Sequence, residues 1–291
     1  MRYVTFQIGH KTSAGVVIGQ FVYDLAQAFF RVFKRPYKFP DLLPFLQAGL
    51  HEKIHDVDLG RLKEDRLVAY PLKEVRLRAP LLRPPKIICI GLNYKDHAEE
   101  QKKEPPAAPL IFSKASNAVI GDEDEIRIPR GISEKVDHEV ELAVVIGKEA
   151  WQVPKDEALD HVFGYTIMND VTARDLQQGD KQWFRGKSCA TFAPLGPAIV
   201  TPDEIKVEDV GLTLTVNGDI RQAGSTKSLI FGVPALIEYI SKCIALEVGD
   251  VIATGTPAGV GVFRNPPVFL KAGDRVVATI EGIGTLSNTV I

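Results

Sequence analysis

The chain has 291 residues, with 35 basic against 37 acidic side chains, and 45% of it is hydrophobic. Charge this balanced, with no dense basic stripe, excludes the electrostatic footprint of a nucleic-acid binder. No apolar run approaches membrane-spanning length, and the size suits one large domain or a large one with a small companion.

Short alternating segments at Tyr3–Ile8, Gly15–Ile18 and Gln20–Asp24 predict strands, followed by a helical stretch through Pro40–Leu50 and a polar, charged segment at His51–Arg66. Residues 1–72 therefore read as a small N-terminal α/β domain. The run Arg78-Ala-Pro-Leu-Leu-Arg-Pro-Pro-Lys86 fixes φ repeatedly and lacks several donors, which disfavours helix. It makes 73–85 a proline-rich connector and 86–291 the main domain.

Strands dominate beyond it, at Lys86–Ile90, Leu110–Ser113, Glu139–Ile146, Phe163–Met168, Ala198–Val200, Leu212–Val216, Val251–Thr254 and Asp274–Ile280. Asn217-Gly218 marks a hairpin between Leu212–Val216 and Ile220–Gln222. Helices are expected at Lys155–His161, from a capping-box-like start at Thr172-Ala-Arg-Asp175, and at Pro234–Leu246. The sum is a mixed α+β, β-rich chain with few helices. Cys89, Cys189 and Cys243 lack a CxxC pair and read as reduced core thiols. The N-terminus lacks a signal peptide's charged-then-apolar plan, so the expected location is cytoplasmic.

Four groups of residues bear on chemistry. In Asp137-His-Glu-Val-Glu-Leu-Ala-Val-Val-Ile-Gly147, strand alternation puts Glu139 and Glu141 on one face, and Asp170 follows a second apolar stretch. Such a pair is commonly a solvated face; closed by Asp170, it becomes three hard oxygens suited to Mg²⁺, Mn²⁺ or Ca²⁺. His97 and Glu100 share a helix face, giving either a carboxylate-held base or an exposed ion pair. Gln101–Pro109, just after them, is a mobile cover or a plain surface loop. Lys187, amid Trp183, Phe184 and Phe192, either places an ammonium beside a developing oxyanion or snorkels to solvent. Thr254-Gly-Thr-Pro-Ala-Gly-Val-Gly261 lacks a P-loop ending; its amides and the Thr256 hydroxyl suit a substrate carboxylate or a purely structural turn.

In this order and spacing, Asn93-Tyr94-x-x-His97-x-x-Glu100, Glu139-x-Glu141-Leu-Ala-Val-Val-Ile-Gly147, Asn169-Asp170-Val-Thr-Ala-Arg174-Asp-Leu-Gln177, Gly186-Lys187-Ser188 and Thr254-Gly-Thr-Pro-x-Gly-Val-Gly261 resemble the fumarylacetoacetate hydrolase superfamily. The likeness runs from about Arg78 to Ile291. It implies a β-roll of mixed sheets, usually a homodimer, with Mg²⁺ or Mn²⁺ (or Ca²⁺) held by Glu139, Glu141 and Asp170. It implies His97 and Glu100 as a lid dyad activating water, Lys187 as enolate stabiliser, and Arg174, Gln177 and Thr256 as supports for metal or substrate. The implied reaction is cleavage of the C3–C4 bond of a 2,4-diketo acid such as an acylpyruvate, through a metal-bound pyruvate enolate. Oxaloacetate decarboxylation and 2-hydroxy-2,4-dienedioate isomerisation use the same site, and a metal-binding scaffold without turnover is a rival of another class. The expected partner is a small keto acid, with neither nucleic acid nor membrane.

Overall fold

The computed structural model describes residues 1–291. Strands β1 (Arg2–Ile8), β2 (Lys11–Ile18) and β3 (Phe21–Asp24) open the chain, followed by helices α1 (Leu25–Phe33) and α2 (Leu42–Gln47). Aspartates start both helices: the Asp24 carboxylate accepts the Gln27 amide and Asp41 accepts the Leu43 amide. Alternation does not announce α1, whose aromatic and β-branched content is weakly helical. The helix expected through Pro40–Leu50 contracts to α2, because Gly49 turns into the left-handed region at φ 65°. His51–Arg66 forms short 3₁₀ turns that bury Ile54 and Leu59.

Next come β4 (Ala69–Pro71), β5 (Arg76–Arg78), β6 (Ile87–Gly91), α3 (Lys95–Glu100), β7 (Leu110–Lys114), β8 (Val119–Ile120), β9 (Glu125–Ile126) and β10 (Val136–Asp137). The centre is β11 (Val140–Ile146), β12 (Val162–Asn169), β13 (Thr172–Ala173), α4 (Arg174–Gly179), α5 (Phe184–Lys187) and β14 (Ala193–Val200). The chain closes with β15 (Gly211–Val216), β16 (Asp219–Ser225), α6 (Val233–Ser241), β17 (Val251–Ala253), β18 (Arg275–Ile280) and β19 (Gly284–Val290). Asn217 and Gly218 join β15 to β16 with φ of 54° and 87°, the double left-handed turn their sequence predicts.

Three expectations change. Lys155–His161 holds only a 3₁₀ turn at Ala158–His161. Thr172 lies in β13 and pairs with Asp137, so α4 starts one residue after Ala173 without a capping side chain. Helix α6 stops at Ser241, which leaves Cys243 in an exposed turn beyond it, whereas Cys89 is buried and Cys189 half-buried.

The main sheet runs β4-β3-β2-β1-β14-β12-β11-β17-β6-β7, and a second runs β16-β15-β18-β19-β9. Most neighbours are antiparallel, while β6–β17, β8–β14 and β9–β19 are parallel. The result is the mixed, strand-rich roll with few helices that the sequence implies. Arg2 and Tyr3 of β1 pair with Val200 and Ile199 of β14, so the N-terminal strands extend the main sheet. Ala79 and Leu81 of the proline-rich stretch are buried there with Phe29, Phe45 and Ile87. On β11, Val140, Leu142, Val144 and Ile146 pack toward α6 and the second sheet, and Ala143 and Val145 pack toward the N-terminal helices. Period-two alternation thus sandwiches β11 between two cores and leaves Glu139 and Glu141 near its leading end.

Candidate active site and metal centre

Asn169 ends β12 opposite Val140 and fixes the carboxylates relative to one another. Its Oδ1 accepts the Glu139 amide at 3.0 Å, while the next amide, of Asp170, donates to the Glu139 carbonyl at 2.8 Å. Glu139, Glu141 and Asp170 each bring an oxygen within 4.8 Å of the other two, and all three are buried.

Cations surround them unevenly. Lys187 Nζ donates to Glu139 Oε2 at 2.8 Å and Asp170 Oδ2 at 2.5 Å and lies 4.9 Å from the centre of the Phe112 ring. Helix α5 delivers this lysine by crossing α4 closely at Gly186, where a Cβ would come within 2.7 Å of the Gln177 nitrogen. Lys187 is 2% exposed, so its side chain is buried and does not snorkel to solvent. Lys114, at the end of β7, donates to Asp170 Oδ1 at 2.6 Å. Arg174 Nη2 lies 2.7 Å from Glu139 Oε1, its Nε donates to Asp137 at 2.9 Å and its Nη1 to Gln177 Oε1 at 3.2 Å.

Burial raises the Glu139 carboxyl, but Lys187 and Arg174 overrule it and hold it down at about 2. Glu141 goes the other way: burial, then the neighbouring Asp170 and Glu139, pushes it well above the usual carboxylate range. Burial disfavours the Lys187 ammonium, yet Asp170 and Glu139 raise its pKa on balance. Four buried carboxylates (Asp137, Glu139, Glu141, Asp170) thus face three basic side chains (Lys114, Arg174, Lys187), and Glu141 is the one without an ion-pair partner. An uncompensated carboxylate inside a cluster of hard oxygens fits Mg²⁺ or Mn²⁺ by chemistry as well as by position.

Helix α3 brings the dyad alongside. His97 Nδ1 lies 3.0 Å from Glu100 Oε2, and Glu100 Oε1 accepts the Gly259 amide at 3.0 Å. Asn93 locks the start of this helix, exchanging hydrogen bonds with the Phe231 backbone and donating to the Thr254 carbonyl. His97, Glu139, Glu141, Arg174, Lys187 and Thr256 all line one cleft of about 310 Å³ with Gln177.

The glycine-rich segment spends its amides on the protein's own carboxylates. Gly255 donates to Glu141, Ala258 to Asp96, Gly259 to Glu100, and Gly261 and Val262 to Asp137. Gly255 reaches Glu141 at φ 101°, where a Cβ would meet Asn93 at 2.9 Å. The Thr256 hydroxyl donates to the Val140 carbonyl at 2.9 Å and accepts from Gln222 at 2.7 Å, so its proton is committed to the backbone. Three further residues belong here: Lys114, Asp137 and Gln222. Asp137 was findable, being two before Glu139 and four before Glu141 on the same alternating face. Lys114 and Gln222 carry no local signal.

Residues 86–291 match the family model described as fumarylacetoacetate (FAA) hydrolase C-terminal. An oxaloacetate tautomerase of Bacillus subtilis, YisK, is 49% identical over 230 residues, which is 76% of this chain and 75% of that protein. A fumarylacetoacetate hydrolase structure from psychrophilic Exiguobacterium antarcticum superposes with TM-score 0.87 at 40% identity, over 100% of this chain and 99% of the other. That of a 2-hydroxyhepta-2,4-diene-1,7-dioate isomerase from Mycobacterium marinum gives 0.77 at 36%, over 100% and 98%.

Proposed function

The chain belongs to the fumarylacetoacetate hydrolase family, and from that premise we propose that it is a divalent-metal-dependent enzyme that interconverts the keto and enol forms of oxaloacetate. The observation that carries this reading is convergence: Glu139, Glu141, the buried Lys187 and the His97 ring line one cleft, and Asp170 closes the carboxylate cluster behind them. The tautomerase relative supports the choice of reaction. Mg²⁺ or Mn²⁺ held by Glu139, Glu141 and Asp170 supplies Lewis-acid stabilisation of an enolate when bound.

The chain's own groups do the rest. Arg174 fixes Glu139, the Gly255 amide fixes Glu141 and Lys114 fixes Asp170. Lys187 keeps a desolvated positive charge where negative charge develops on the 2-keto oxygen. With Nδ1 tied to Glu100, His97 Nε2 is the atom that takes the C3 proton as the keto form becomes the enol and gives it back to C3 in the reverse direction, while the 2-oxygen gains or loses its own proton by exchange with water.

Hydrolysis of the C3–C4 bond of a 2,4-diketo acid is the second reading, favoured by the same His97–Glu100 pair, which suits deprotonation of a water for attack at C4. Loss of enol absorbance from oxaloacetate, with Mg²⁺ or Mn²⁺ and then with EDTA, tests the first; pyruvate release from acetylpyruvate tests the second. Metal-dependent tautomerisation without pyruvate from acetylpyruvate is the expected result. Pyruvate as the main product would install the hydrolase reading, and neither activity would remove both.

A further inference from the structure

The His97 ring is not free in this structure. Gln101 Nε2 lies 2.8 Å from His97 Nε2, and Lys103 Nζ donates to Gln101 Oε1 at 2.9 Å. A lysine only donates, so it turns the amide oxygen toward itself and the amide N–H toward the ring. His97 must then accept at Nε2 and donate from Nδ1 to Glu100, which accepts the Gly259 amide with its other oxygen. One chain of hydrogen bonds runs Lys103, Gln101, His97, Glu100 with a single polarity.

The backbone holds this arrangement in place. Helix α3 ends with Lys102 in the left-handed region at φ 53°, the Lys102 amide on the Glu99 carbonyl at 2.9 Å and the Lys103 amide on the Ala98 carbonyl at 3.0 Å. That pattern is a Schellman motif, normally closed by glycine, here built with lysine against its conformational preference. It returns the chain so that Lys103 stands beside Gln101. Both line the catalytic cleft together with Lys181, and neither Lys103 nor Lys181 has a carboxylate within ion-pair distance.

An imidazole nitrogen has one lone pair. While the Gln101 amide occupies Nε2, that atom cannot take a proton from a substrate. We propose that Gln101 is a latch on His97 and Lys103 its trigger: the far carboxylate of a dicarboxylate substrate pairs with Lys103, the amide loses its anchor, and Nε2 is released only when such a substrate is in place. A charge-assisted pair outcompetes the neutral amide for the ammonium. The proposal rests on the reading of His97 as the proton acceptor, and makes Gln101 and Lys103 residues that position the base and select the substrate.

The test compares the tautomerisation of oxaloacetate with that of acetylpyruvate, which carries a methyl ketone where oxaloacetate carries its far carboxylate. For Lys103→Met, KM for oxaloacetate should rise about tenfold or more, the scale of one lost charged contact, with KM for acetylpyruvate unmoved and Lys103→Arg restoring the difference. For Gln101→Leu, kcat on acetylpyruvate should rise severalfold, narrowing the ratio between the two substrates. Equal changes for both substrates in either variant would overturn the latch. ¹⁵N imidazole spectra of the metal-loaded enzyme read it independently of turnover. His97 should show the Nδ1–H tautomer alone, and the signal should shift on adding malonate and not on adding acetate. No response to malonate would overturn the proposal even where oxaloacetate is turned over. A response to malonate from an enzyme inactive on both keto acids would instead sink the reaction assigned above and leave the latch standing.

Discussion

Glu141 takes a single hydrogen bond, from the Gly255 amide at 2.9 Å, and has no cation beside it. Burial, then the neighbouring Asp170 and Glu139, pushes its carboxyl well above the usual carboxylate range, which favours the protonated form while no divalent ion is bound. Binding of Mg²⁺ or Mn²⁺ should therefore be accompanied by proton release, and affinity should strengthen as pH rises. Calorimetry in buffers of different ionisation heat reads the release directly. A binding heat independent of buffer would refute it.

Glu139 titrates in the opposite direction. Burial alone would raise its carboxyl, but Lys187 and Arg174 win, and it falls from 4.5 in the unfolded chain to about 2 in the fold. The unfolded state then binds more protons across that window, so this group's stabilisation is complete above the unfolded value and is lost as pH drops through the folded one. The stability gap between the wild type and Glu139→Gln, measured by urea unfolding without metal, should shrink on acidification from about pH 5 toward pH 3. A constant gap would mean that the pairing is not what depresses the group.

Removing the Lys187 ammonium leaves Glu139 and Asp170 short of a buried partner. Lys187→Met should lose about 3–5 kcal/mol of metal-free stability and about 10²–10³ in kcat. Because a divalent ion restores positive charge to the cluster, Mg²⁺ should recover much of the Tm and little of the rate. Thermal melts with and without Mg²⁺, alongside turnover, separate the two losses; recovery of both would deny Lys187 a role in the reaction.

His97→Ala should cut oxaloacetate tautomerisation by about 10²–10⁴ and leave metal affinity unchanged, since the ring contributes no metal ligand. Glu100→Gln should cost less, because Glu100 acts by orienting the imidazole. A wild-type rate in His97→Ala would move the proton-transfer role elsewhere in the cleft.

Phe45 is fully buried and touches Tyr3, Phe29 and Phe39, in a core shared with Ala143 and Val145 of β11. Phe45→Ala should destabilise by about 3–5 kcal/mol. Since β1 is hydrogen-bonded to β14, the N-terminal strands and the catalytic sheet should melt in one transition, with far-UV circular dichroism and activity lost together. Two resolved transitions would show that residues 1–72 unfold separately.

The legible part of the site was what period-two alternation and apolar context encode. Glu139 and Glu141 declare a shared face locally, and the Asp170 position follows from one more apolar run. Lys187 was ambiguous because a lysine among aromatics reads the same whether buried or snorkelling; only the close crossing at Gly186 decides it. Lys114 was hidden, as it simply closes an apolar strand until the fold brings Asp170 to it. The end of α3 was hidden for a different reason: a left-handed lysine at position 102 leaves no mark where a glycine would have. Proline likewise marks a break in regular structure, but not whether Ala79 and Leu81 beside it enter the core. For the fold, strand content and the Asn217-Gly218 hairpin were accessible. Sheet order was not, because pairings such as β1 with β14 join segments nearly two hundred residues apart.

That long-range pairing has a consequence for how the protein is made. During synthesis β6 emerges well before its parallel partner β17, and Glu141 waits for the Gly255 amide more than a hundred residues downstream. The carboxylates therefore leave the ribosome long before the strands and amides that will bury and orient them. A nascent chain halted at about residue 240 would carry Glu139, Glu141 and Asp170 and the lysines Lys114 and Lys187 without a finished site to hold them. Enzymatic competence should arrive late and abruptly, once the segment through Gly261 has docked.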